Sequence, residues 1–273
     1  MRTILPFLMI FLITSCANGK ERNYTGSTPA NAVVKAFLGI PLSDSIDFIR
    51  WNLTLKDNQY TLHCNYGISK PNTNGFINGG QNMELTGTLR KEKNYYELQS
   101  GKKSIKLAEL NTDLLHFADS DNSLLVGNGG WSYVLNNLVP EKSDQSNISS
   151  KGVVLKDSMA FQGRTPCGVP GIIAEGKLCY KLKWLVTFYA NPKRNAPTTY
   201  NLLGTGWRKE GGLKGNWKIV TGKDGRIIYE LNDDKGKAFI HLLKLDDNVL
   251  IFTDANGKLL TGDLDFSYTL NRL

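Results

Sequence analysis

Residues 115–136 align without a gap with residues 250–271, and ten of the 22 positions carry the same residue. The shared residues are Leu115, Phe117, Asp119, Leu124, Leu125, Gly127, Ser132, Tyr133, Leu135 and Asn136, matched by Leu250, Phe252, Asp254, Leu259, Leu260, Gly262, Ser267, Tyr268, Leu270 and Asn271. A period of 135 residues is far longer than the roughly 20–50 residues of a solenoid unit, so a whole domain has been duplicated. Each matched segment closes its own half. Between the halves, residues 140–151 are polar and Ser-rich, which is a linker composition. The first copy is therefore expected over residues 31–139 and the second over 152–273, with residues 17–30, rich in Gly, Asn, Thr and Ser, as a flexible tether ahead of them.

Within each copy the apolar residues recur with period two. Tyr180, Leu182, Trp184, Val186 and Phe188 lie on one face of a segment whose other face carries Lys181, Lys183 and Thr187, the pattern of a half-buried strand. In the first copy Leu53 and Leu55 lead into a turn at Lys56-Asp57-Asn58, after which Tyr60, Leu62, Cys64 and Tyr66 alternate with Thr61, His63 and Asn65. That predicts a hairpin. The repeated segment predicts another in each copy, with Leu250-Ile251-Phe252, a turn at Asp254-Ala255-Asn256-Gly257, Leu259-Leu260, and then Phe266, Tyr268 and Leu270 in alternation. A helical pattern is confined to residues 32–38. Short strands separated by Gly, Asn and Asp turns every 8–12 residues or so point to an all-β chain of two tandem small antiparallel lipocalin-like β-barrels, in which closure protects the strand edges.

The first 16 residues read as an export signal. Arg2 precedes the apolar run from Ile4 to Ile13, and the sequence turns polar at Asn18-Gly19-Lys20-Glu21-Arg22, too soon for the about 20 apolar residues of a membrane span. Ile13-Thr14-Ser15-Cys16 resembles the lipobox of bacterial lipoproteins, in which the cysteine becomes the acylated first residue. Lipidation at Cys16 would anchor an otherwise soluble chain in the cell envelope, with the outer membrane as the expected site.

The second copy opens Gly163-Arg164-Thr165-Pro166-Cys167-Gly168-Val169-Pro170-Gly171-Ile172 and ends Phe266-Ser267-Tyr268-Thr269-Leu270-Asn271. That order resembles the NlpE-type lipoprotein domain, whose opening motif is Gly-x-x-Pro-Cys-x-x-Cys-x-Gly-Ile. The resemblance implies a lipocalin-like barrel and a link to copper resistance or to sensing of envelope stress. Cys167 falls on the first motif cysteine, Pro170 replaces the second, and Gly171-Ile172 arrives one residue early. Residues 39–45, taken as the matching stretch of the first copy, keep the proline at Pro41 and have Leu42 and Ser45 in place of the cysteines. Neither copy keeps the Cys-x-x-Cys pair.

After lipidation of Cys16, three cysteines are left. Cys64 lies on an apolar strand face, the ordinary place for a packed thiol. Cys167 and Cys179 have two readings: a disulfide closing a 13-residue loop, or two soft ligands for Cu(I), which requires them reduced. The remaining methionines, Met83 and Met159, form no copper-binding tract, and copper is the one cofactor the chain raises. Catalysis has less support. His63, His116 and His241 all lie in strand patterns, and Ile251 stands in the second copy where His116 stands in the first, so no duplicated site shares that histidine. Asp119, Asp246, Asp247 and Asp254 lie in turn contexts where the carboxylate bonds the local backbone. Nucleophile elbows, zinc-binding helices and phosphate loops are absent from the sequence.

The aromatic residues are the better lead. Trp207 and Trp217 are candidates to contact a ligand, either lining an incompletely filled barrel or forming an exposed glycan platform, with Lys181, Lys183, Arg208 and Lys209 at the mouth. The chain has 33 Lys plus Arg against 25 Asp plus Glu, mildly basic and interspersed rather than in blocks. Nucleic acid is not an expected partner. The expected function is a non-catalytic binding or stress-sensing module of the envelope. Its alternatives are a copper-binding lipoprotein using the remaining cysteines and a glycan-binding surface lipoprotein, and its expected partner is a small apolar ligand, a glycan or an envelope protein.

Overall fold

A computed structural model of the chain describes residues 20–140, 152–173, 178–204, 207, 211–222 and 224–273. Cys16, most of the 140–151 linker, Arg208 and Lys209 lie outside the described residues. Two closed eight-stranded barrels account for nearly everything else. In the first, β1 (Arg22–Pro29), β2 (Phe48–Lys56), β3 (Gln59–Gly67), β4 (Gln81–Glu92), β5 (Tyr95–Ser100), β6 (Lys103–Asn111), β7 (Leu114–Ala118) and β8 (Val134–Asn137) follow one another around the barrel. The second repeats the order with β9 (Ser158–Thr165), β10 (Leu182–Asn191), β11 (Ala196–Gly204), β12 (Leu213–Thr221), β13 (Ile227–Asn232), β14 (Ala238–Lys244), β15 (Val249–Thr253) and β16 (Thr269–Arg272). Every neighbouring pair is antiparallel, and β8 and β16 close back onto β1 and β9. Among the described residues, no helix is long and apolar enough to cross a membrane.

Alternation carries the barrels. Leu53, Leu55, Tyr60, Leu62, Cys64 and Tyr66 all point inward, as do Leu182, Trp184, Val186 and Phe188. Tyr180 departs from the expected pattern, because β10 begins two residues later and leaves it exposed. The closing hairpin also departs: β15 is followed by a long loop joined to it through one bridge, Thr253 to Leu259, and Phe266 and Ser267 belong to that loop rather than to β16. The predicted helix, α1 (Ala32–Leu38), is present, with Asn31 Oδ1 accepting from Val34 N at its start and Gly39 in the left-handed region at its end. It plugs one mouth of the first barrel with Val34, Phe37 and Leu38.

Residues 22–29, expected as part of a flexible tether, are β1. The composition misled because this strand is covered on both faces: Thr25, Ser27 and Thr28 are buried alongside Tyr24, whereas small polar residues usually mark exposed, mobile chain. Thr28 accepts a hydrogen bond from Trp51 Nε1 at 2.8 Å inside the barrel, and Ser27 Oγ reaches across to Leu264 O of the second barrel at 2.8 Å. The second copy repeats the inner bond, Trp184 Nε1 to Thr165 Oγ1 at 2.9 Å. Gly26-Ser27-Thr28-Pro29 is thus the structural counterpart of Gly163-Arg164-Thr165-Pro166, and residues 39–45 are not. Gly26 and Gly163 hold equivalent places, where an added Cβ would lie 2.6 Å from Val134 O and 2.5 Å from Thr269 O respectively.

The outer faces of β6 and β7 meet those of β14 and β15. Ala108, Leu110, Leu114 and Val134 form one apolar cluster with Leu243, Leu245, Val249, Ile251 and Leu259. Three pairs within this cluster, 108 with 243, 110 with 245 and 114 with 249, are 135 residues apart, the period of the repeat. The polar contacts are reciprocal as well. Asn136 Oδ1 accepts from Gly262 N at 2.8 Å, and its repeat partner Asn271 accepts through Oδ1 from Gly127 N, the partner of Gly262, at 2.7 Å. Ser132 and Ser267, also repeat partners, share a hydrogen bond of 2.6 Å. Such self-complementary pairing is the signature of an isologous, two-fold interface. Here both halves belong to one chain.

Candidate functional site

The pseudo-two-fold interface accounts for the repeated residues before any ligand is considered. Leu115, Phe117, Leu125, Tyr133 and Leu135 fill the first barrel, and Leu250, Phe252, Tyr268 and Leu270 fill the second. Asp119 and Asp254 accept from backbone N–H groups two and four residues on, at 2.8–2.9 Å, as their turn context predicts. Asp246 accepts from the backbone N–H groups two and three residues on, Asn248 and Val249, whereas Asp247 instead bonds Lys244 Nζ at 2.8 Å.

The barrel interiors are occupied by the chain's own rings. Trp51 lies 4.8 Å from Phe117, Trp184 lies 4.8 Å from Phe252, and Trp217 lies 4.8 Å from Phe188 and 4.9 Å from Tyr229, all between ring centroids. Trp217, a sequence candidate for an exposed ligand contact, is 3% exposed and donates Nε1–H to Tyr189 O. It is core, and no platform can be built on it. Trp207 is half-buried between Trp184 and Phe239. Lys181 stacks over Tyr180 and Phe266.

Cys167 and Cys179 are joined as a disulfide, with Cα atoms 5.9 Å apart. The loop they close follows Thr165-Pro166, the place α1 holds in the first barrel, and Val169 within it is buried in the second core. In this state the pair offers no thiolate to Cu(I). Cys64 is buried, and burial pushes its thiol pKa up, away from the reactive thiolate. Titration of unfolded, unreduced protein comprising residues 17–273 is expected to find one reactive thiol, that of Cys64. Three would contradict the bridge.

The histidines stand apart from one another. His63 is exposed beside Glu84, and His241 lies on the outside of the second barrel 3.5 Å from Glu230. His116 is fully buried at the interface, with Nδ1 2.8 Å from Phe117 O and Nε2 without a hydrogen-bond partner. Burial lowers its pKa to about 4. Among the described residues, no three His, Cys, Asp or Glu side chains are grouped to hold a metal ion.

Two of the surface clefts among the described residues lie next to Glu109 and combine charge with polar groups fixed by the fold. One, of about 630 Å³, opens where the barrels meet and is lined by Tyr95, Glu109, Asn122, Lys244 and Asp246 among others. Burial raises the pKa of Asp246 despite its two backbone bonds. The second, of about 390 Å³, lies at the turn-bearing end of the first barrel. Behind it sits a buried carboxylate that sequence reasoning missed. Glu109, 5% exposed, accepts from Lys91 Nζ at 2.6 Å, Tyr96 Oη at 3.0 Å and Arg22 Nη1 at 3.3 Å. Burial opposes the charge on Lys91, yet its bonds to Glu109 and Tyr96 leave its pKa above the ordinary lysine value. The only signal in sequence was Glu109 interrupting the apolar end of β6; its partners are up to 87 residues away. In the second copy Lys244 takes the place of Glu109, so this cluster is not duplicated. No protein-family model, curated protein or solved structure matches this chain.

Proposed function

We propose that the chain is a lipid-anchored protein of the bacterial envelope, held on the outer membrane through Cys16, that acts as a non-catalytic binding or stress-sensing module akin to NlpE-type lipoproteins. One observation supports this above the rest: the repeated residues lock two filled barrels into a single body with an open cleft along the seam between them. Among the described residues, the chain's own aromatic and aliphatic side chains occupy both interiors, and no histidines and cysteines converge on a reacting centre. The seam cleft combines turn amides, an aromatic ring and charges of both signs, the composition of a polar recognition site. Copper enters this reading only if the Cys167–Cys179 bridge is reduced. Native mass spectrometry of the mature chain purified from its own host, compared with the denatured mass, tests the proposal. A non-covalent adduct whose retention falls when Lys244 and Tyr95 are replaced supports seam binding. An adduct indifferent to those changes, or none, overturns it.

A further inference from the structure

We propose that the turn-bearing end of the first barrel rests on the bilayer, with a phospholipid headgroup phosphate seated among Lys20, Arg22, Lys56 and Lys91. The inference rests on the reading that Cys16 is lipidated, and it names the surface that this anchor brings to the membrane. Lys20 is four residues beyond Cys16, and an extended chain covers at most about 3.5 Å per residue, so the barrel entrance lies within roughly 14 Å of the acylated residue. Antiparallel register then fixes what else is at that end. Arg22 pairs with Leu55, Glu92 with Tyr95, and Tyr24 with Asn137, which brings Lys56, Lys93, Leu138 and Val139 to the same rim. The helix α1 and residues 68–80 are at the opposite end, a strand length away; eight residues at about 3.3 Å each exceed the reach of the tether.

The chemistry of the rim matches a phosphate layer. The 390 Å³ cleft there is lined by the four cations together with Asp57 and Tyr96. At the cleft itself, adding the buried Glu109 behind it and Glu21, 3.9 Å from Lys56, leaves four positive charges against three negative, and the rim's Lys93 and Glu92 offset each other. Tyr96 Oη receives hydrogen bonds from both Arg22 and Lys91, which holds those two cations at the base of the cleft. Beside the cations, Leu138 and Val139 are 59% and 77% exposed, and Leu138 N is tied to Asn23 O at 2.9 Å. Exposed aliphatic side chains among lysines suit the boundary between headgroups and acyl chains.

The experiment uses the full lipidated chain in phosphatidylcholine vesicles with or without phosphatidylglycerol. A fluorophore is placed on Val139→Cys or, at the opposite end, on Leu42→Cys. Cys64 is buried and Cys167 is bridged to Cys179, so the introduced thiol alone is labelled in the folded protein. With a quencher carried at headgroup level, the label at position 139 is expected to be quenched several-fold more than the label at 42. The difference should grow with phosphatidylglycerol and shrink in Lys56→Glu/Lys93→Glu protein. Equal quenching of the two labels on acylated, vesicle-bound protein overturns the proposal alone. An intact mass without acyl chains on Cys16 overturns the anchor reading, and this proposal with it.

Discussion

Replacing Asn136 and Asn271 together with alanine is expected to cost about 3 kcal/mol and to divide one unfolding transition into two. Each side chain accepts from a backbone N–H of the opposite barrel, Gly262 N at 2.8 Å or Gly127 N at 2.7 Å, and Asn136 Nδ2 also donates to Asp263 O at 3.0 Å. Leaving a buried or half-buried donor without its acceptor costs roughly 1–3 kcal/mol, and the double variant leaves two such donors. Neither of the two accepted bonds contributes to the ladder of its own barrel, and the one contact Asn136 makes within it, Nδ2 to Thr25 O, is long at 3.4 Å. The loss should therefore fall on coupling between the barrels, with each core left to melt by itself. Calorimetry of the double variant checks this; a lowered but still single transition would place the Asn bonds inside a barrel's own cooperativity rather than between the two.

Acid should weaken the same interface through His116. The unfolded chain protonates this residue near pH 6.5, whereas the folded chain resists until about pH 4, because burial disfavours the charged ring. Between those values the unfolded state holds the extra proton. The stability this residue confers is thus complete above about pH 6.5 and is lost as pH falls towards 4, by roughly 3 kcal/mol at 1.36 kcal/mol per pH unit. Nδ1 faces Phe117 O and so carries the hydrogen of the neutral ring, which leaves Nε2 as a buried lone pair with no donor to meet it. The His116→Ile variant copies Ile251, the residue at the matched position of the second copy. It is expected to be about 1 kcal/mol more stable at neutral pH and to lack this part of the acid dependence. Denaturant titrations of both proteins at pH 7.5 and 4.5 measure the difference, and parallel pH profiles would show that His116 is not the titrating group.

Period-two alternation made the barrels legible, since Tyr60, Leu62, Cys64 and Tyr66 behave as the inward face of a half-buried strand must. It failed where a strand is buried on both faces. β1 is the clearest case: Thr25, Gly26, Ser27 and Thr28 look like a linker, yet they lie between a barrel core and a neighbouring barrel that sequence gives no means of placing. β7 shows the apolar counterpart, because Leu114, Leu115, His116 and Phe117 are all buried. The repeat itself was visible in sequence, but its purpose was not. Asn136, Gly127 and Ser132 are shared with Asn271, Gly262 and Ser267 because a two-fold contact needs both partners at once, and only the structure brings them together. Alignment of Gly-x-Thr-Pro at residues 26–29 and 163–166 would have located the true start of the first barrel. The Glu109 cluster was beyond reach, since its cations come from β1 and β4 and no local pattern ties them to one carboxylate.

Cutting the chain between the barrels tests the central claim most directly. With a protease site placed within residues 143–149, in the Ser-rich linker, the two halves are cleaved and then examined by size-exclusion chromatography and native mass spectrometry. If the repeated segments form a two-fold interface within one chain, the halves stay together as a one-to-one complex, and Asn136→Ala/Asn271→Ala protein releases them. Separation of the uncut-sequence halves into free barrels on cleavage would contradict the account.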